Sequence, residues 1–95
     1  MILRNLHTEN KPVQTQLLFE PKDAKVISLQ IAKGETLKEH LSKIPAMLVC
    51  ISGNAVFTDE NGMVVNLNSG TYVMIEENVK HAVKAIEESN FLLMK

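Results

Sequence analysis

The chain has 95 residues, 45% of them apolar, and its net charge of −1 arises from acids and bases scattered along its length. A chain of this size builds one core and buries roughly 60–70% of its unfolded surface. With no basic stripe to meet a phosphate backbone, nucleic acid is excluded as an expected partner.

Pro12, Pro21, Gly34, Pro45, Gly53, Gly62 and Gly70 divide the chain at intervals of about ten residues, the punctuation of many short strands. Gln14–Glu20 reads as a first strand. Lys25–Ala32 alternates Val26, Ser28 and Gln30 against Ile27, Leu29 and Ile31, which predicts a half-buried strand. Thr36-Leu37-Lys38-Glu39 fits a helix capping box, and Leu37, Leu41 and Ile44 recur at helical spacing. Local preference alone therefore predicts a short helix over 36–43. Met47–Ile51 is continuously apolar and predicts a strand buried on both faces.

Asn61-Gly62, between Ala55–Thr58 and Met63–Leu67, predicts a hairpin with a type I′ turn. Asn68-Ser69-Gly70 turns the chain into a strand over Thr71–Glu76. His81–Glu87 and Phe91–Met94 complete the series, although Ala82, Val83 and Ile86 would also share a helix face. Isolated helices shorter than about 12 residues are marginal in water, which favours strands at both ambiguous segments.

Familiar catalytic signatures are absent: there is no Gly-x-Gly-x-x-Gly, phosphate-binding loop, Cys-x-x-Cys or Gly-x-Ser-x-Gly. Glu76-Glu77 and Glu87-Glu88 are adjacent pairs whose side chains diverge on a strand, so they read as solvated charges. Cys50 reads as a small buried hydrophobe, and Met47, Met63 and Met74 as core filler or cavity lining. A single cysteine implies no oxidising compartment. Met1–Asn10 turns polar by its fourth residue, and Ile44–Ile51, the longest apolar run, falls far short of the roughly 20 residues that span a bilayer. The expectation is a soluble cytoplasmic protein with no membrane partner.

Two stretches carry a family resemblance. Gly34, His40 and Gly53 fall without a gap on the frame Gly-x5-His-x-His-x3-Glu-x6-Gly, and Gly70 and His81 fall on Gly-x5-Pro-x-Gly-x2-His-x3-Asn. This spacing resembles the paired motifs of the cupin family. The resemblance implies an all-β fold over residues 1–95: an antiparallel β-barrel, or double-stranded β-helix, of jelly-roll type. It places 36–43 and the segment from His81 on strands at the barrel mouth. It also implies a homodimer, in which the strand at 14–20 can be exchanged between copies.

In metal-bearing members of that family, two neighbouring His, a Glu and a downstream His hold a divalent ion. Here His40 and His81 match the first and last ligand, whereas Ser42 and Ala46 occupy the middle two positions. Two imidazoles hold metal weakly. No cofactor is expected, beyond weak nickel or zinc at His40 and His81. His7 reaches that site only if the N-terminal arm folds over the mouth.

The expected ligand-binding set is His40, His81, Ser42, Ala46 and Met47, in a non-enzymatic barrel that binds or senses a small molecule. The alternatives are a metal-dependent cupin enzyme of isomerase or dioxygenase type and a structural dimerisation module.

Overall fold

The computed structural model describes residues 1–95, in which nine strands form two antiparallel sheets. The strands are β1 (Val13–Phe19), β2 (Val26–Ile31), β3 (Thr36–His40), β4 (Ala46–Ser52), β5 (Asn54–Asp59), β6 (Val64–Asn68), β7 (Tyr72–Ile75), β8 (His81–Ala85) and β9 (Ser89–Met94). One sheet has the order β1-β2-β9-β4-β7 and the other β3-β8-β5-β6. Leu29, Ile31, Leu48 and Phe91 from the first sheet meet Phe57, Leu67 and Val83 from the second in one apolar core. The result is the expected jelly-roll barrel, and its only helical element is a 3-10 turn at Leu3–Leu6. No helix is long and apolar enough to cross a membrane.

Tertiary pairing decides the two segments whose local pattern suggested helix. Thr36 lies opposite Lys84, Leu37 opposite Val83 and His40 opposite His81. Gly34 N–H donates to Ala85 C=O, and Ala85 N–H donates to Glu35 C=O. A two-turn helix would leave most of its terminal backbone groups to solvent, whereas the neighbouring strand satisfies them.

Four local expectations are corrected. β2 is not half-buried: Ser28, Leu29, Gln30 and Ile31 are all buried. The N-terminal arm explains this, because His7 Nε2 hydrogen-bonds Ser28 Oγ at 2.8 Å on the outer face. A polar row also crosses that face: Gln14 Nε2 donates to Gln30 Oε1, Gln30 Nε2 to Asn90 Oδ1, and Asn90 Nδ2 to Ser52 Oγ. Burial of such groups is tolerated because each one is paired.

β4, predicted to be buried on both faces, buries only Ala46, Leu48 and Cys50. Met47 and Val49 are half-buried and Ile51 is exposed. Met63 and Met74 are exposed rather than core filler; Met63 follows a turn, and Met74 sits on the outer face of an edge strand.

The hairpin joining β5 and β6 is real, but its turn is not type I′. Gly62 N–H donates to Asp59 C=O, so Glu60 and Asn61 are the central residues. Gly62 follows them at φ +88°, while Asn61 is not in the positive-φ region. This is the longer loop in which a glycine closes the turn as a bulge. Asp59 Oδ1 holds it by accepting from Asn61 N–H and Met63 N–H.

Candidate binding site at the barrel mouth

His81 opens β8 and shares its inward face with Val83 and Ala85, so the ring enters the barrel and only 5% of the residue is exposed. His40 ends β3 directly opposite, beyond a register shift in the pairing. The two ring centroids lie 4.2 Å apart with planes inclined at 59°. Phe57 supports His81 from beneath, nearly parallel at 5.7 Å.

Each ring is oriented by a carbonyl two residues upstream. His40 Nδ1–H donates to Lys38 C=O at 2.8 Å, and His81 Nδ1–H donates to Val79 C=O at 3.2 Å. A carbonyl only accepts, so the proton sits on Nδ1, and in the neutral ring Nε2 is left as a bare acceptor. Neither Nε2 bonds another group of the protein. Burial pushes the His81 pKa down, with His40 and Lys95 adding to the effect, while the Val79 bond and Asp59 oppose it. At neutral pH His81 is therefore an uncharged acceptor.

The pair borders a cavity of about 270 Å³ lined also by Leu41, Ser42, Lys43, Ala46, Ile75, Leu93 and Lys95. A wider hollow of about 580 Å³ lies against Glu20–Lys25, Ile44 and Lys95; it brings no histidine, hydroxyl or thiol together. The mouth cavity gathers four of the five residues expected from the sequence: His40, His81, Ser42 and Ala46.

Met47 is the exception. It is on the opposite face of β4 from Ala46, beside Met74 and Met94, because successive strand residues point to opposite faces. His7 also stays away, bound to Ser28 on the outer surface of the sheet. Cys50 is fully buried, and burial raises its thiol pKa, as befits a small hydrophobe.

Sequence reasoning missed Leu41, Lys43, Ile75, Leu93 and Lys95. A period-two count from buried Phe91 would have aimed Leu93 and Lys95 inward, and one from buried Val73 would have done the same for Ile75, whereas Leu41 and Lys43 lie outside the strands and have no such local signal.

The donor set does not fit a resident divalent metal. No three His, Cys, Asp or Glu side chains anywhere in the chain come together as potential ligands. Ala46 has no donor, and Ser42 Oγ accepts from Ile44 N–H in its own turn. Two imidazoles remain, fewer than the three protein ligands usual even in open catalytic zinc sites.

No family model matches the sequence, and no curated protein matches it. Solved structures do match in fold. A conserved protein of unknown function from Streptococcus pyogenes superposes with a TM-score of 0.83 at 22% identity, covering 99% of this chain and 82% of its own. A cupin superfamily protein from Desulfitobacterium hafniense gives 0.85 at 16% identity, covering 99% and 85%. An RmlC-like cupin from Desulfovibrio desulfuricans gives 0.80 at 19% identity, covering 93% and 85%. The chain has the cupin fold.

Proposed function

We propose that this protein is a small-molecule-binding or sensing barrel that works without a resident metal and without catalysis, its ligand seated in the mouth cavity between His40 and His81. The observation that carries this reading is the pair of rings whose Nε2 atoms are unengaged, bordering a cavity where Leu41, Ile75 and Leu93 stand beside polar side chains. Ligand sites generally combine an apolar lining with a few convergent polar groups. No nucleophile with an adjacent base, and no paired carboxylates, accompany the two rings. The single buried thiol supports a cytoplasmic setting.

The reading is tested by thermal unfolding against a library of metabolite-sized compounds. A ligand present at about 100 times its Kd stabilises the folded state by about 2.7 kcal/mol. The expected result is a rise in Tm that disappears in the His40→Ala variant, whose exposed position leaves the fold intact. A preparation that retains one equivalent of metal through purification would instead support the metal-enzyme reading. If no compound raises the Tm and no metal is retained, the structural-module reading takes its place.

A second copy of the chain is the expected partner. β1 is an edge strand without a single charged residue. Leu17, Leu18 and Phe19 are all exposed along it, Phe19 to 61%. Natural edge strands are usually blunted by charge, proline or a covering element, and an uncharged apolar edge invites pairing. A twofold contact lets the same strand serve both copies. Light scattering is expected to give about twice the 10.6 kDa chain mass. Replacing Leu17 and Phe19 with Lys is expected to shift the protein to monomer. A native mass equal to that of one chain at high concentration would reject the dimer.

A further inference from the structure

We infer that the mouth cavity takes a small hydroxy-substituted carboxylate. This rests on the reading of the cavity as a ligand site and narrows the class of its ligand. The charges at the rim are of one sign. Lys43 and Lys95 border the cavity, and no acidic side chain does. The only ion pair in the protein joins Lys11 to Glu9, so neither rim lysine has a carboxylate partner. The acids around it are otherwise disposed: Asp59 Oδ1 is held by the amides of its own turn, Glu76 and Glu77 border a separate depression with Pro45 and Met74, and Glu20 and Asp23, which share the adjacent hollow with Lys95, make no ion pair with it. An ammonium group offers three donors and no acceptor, so its complement is an anion.

The floor of the site makes a different demand. His81 is more than nine-tenths buried and lines the cavity with its ring centroid 4.2 Å from that of His40, and neither Nε2 has a partner in the protein. A carboxylate oxygen placed there would meet two lone pairs, whereas a hydroxyl donates to them. Leu41, Ile75 and Leu93 then cover a carbon skeleton, and a volume of about 270 Å³ suits a small metabolite. Lysines that call for negative charge and histidines that call for a hydroxyl donor line the same cavity. A hydroxy acid supplies both on adjacent carbons.

Three four-carbon probes separate these demands: tartrate carries hydroxyls and carboxylates, succinate only carboxylates, and threitol only hydroxyls. Each is titrated at millimolar concentration into the intact protein, with the imidazole signals of His40 and His81 followed by NMR. Tartrate is expected to shift both rings and to bind about tenfold tighter than either other probe, the worth of one charge-assisted hydrogen bond. Replacing Lys43 and Lys95 together with Ala, both exposed positions, is expected to weaken tartrate about tenfold and leave threitol unchanged.

Threitol binding as well as tartrate would overturn the anionic class while leaving the ligand site itself standing. Succinate binding as well as tartrate would overturn the hydroxyl requirement. Failure of all three to move either imidazole overturns the inference. The ligand-site reading falls with it only if the wider library also gives no His40-dependent stabilisation.

Discussion

Gly53→Ala is expected to destabilise the protein by about 3–5 kcal/mol, as backbone strain and overpacking add. Gly53 stands between β4 and β5, where the chain leaves one sheet for the other, and holds φ +107°. A Cβ there would lie 2.5 Å from Glu88 C=O and 2.6 Å from Ser89 Cα. Those atoms are backbone and cannot rotate aside. Ser89 is fully buried, and its Oγ bonds Asn54 N–H, so the obstruction is itself anchored.

Gly62 makes the control. It also has a positive φ, +88°, but a Cβ there meets nothing within 4 Å. Gly62→Ala is therefore expected to show only the conformational penalty, about 1 kcal/mol, and Gly62→Val more, because a β-branched residue resists that conformation. Urea unfolding that follows the midpoint at constant slope measures both. Equal losses at Gly53 and Gly62 would refute the steric account. Against a typical stability of about 5–15 kcal/mol, a loss of this size removes a large share of the total.

The second large effect concerns metal. The native chain is expected to come through purification with little or none, and to bind nickel or zinc weakly when ion is added in excess. Ser42→His with Ala46→Glu adds a third imidazole and a carboxylate beside His40 and His81, because Ser42 and Ala46 line the same cavity as that pair. Affinity is expected to rise on the order of a hundredfold or more, as two donors become four and one of them carries negative charge. Titration calorimetry measures this directly. An unchanged affinity in the double variant would show that the four positions do not converge on one point.

Acid opposes the ion in both proteins, because protonated imidazole does not ligate, so binding is expected to fade as pH falls below the ordinary histidine range near 6.5. The metal-free fold is also acid-sensitive. His81 titrates below its ordinary 6.5, so as pH drops from about 6.5 the unfolded chain takes up a proton that the folded chain resists. Stability falls with it until His81 itself is protonated. His81→Phe is expected to flatten that part of the stability–pH curve.

Much of the architecture was legible from local chemistry. Even punctuation by Gly and Pro marked the strand ends, and period-two alternation placed Leu29 and Ile31 inward; the frame of the barrel came instead from the resemblance of Gly34, His40, Gly53, Gly70 and His81 to the cupin motifs. The punctuation and the alternation lie in backbone preference and strand periodicity, which act over a few residues. Parity within one strand likewise separates Ala46, which lines the cavity, from Met47, which turns its back on it.

What sequence could not settle was decided by contacts between distant segments. Thr36–His40 has a helix capping pattern, yet it is a strand because β8 satisfies its backbone. Ser28 and Gln30 look like a solvent face, yet they are buried because His7 and the arm lie over them. Asn61-Gly62 marks a hairpin, but hydrogen bonding to Asp59 set its turn type. The positive rim of the mouth, Lys43 with Lys95, joins residues from opposite halves of the chain. Periodicity tells which way a side chain points from its own strand; only closure of the two sheets determines which side chains then face one another.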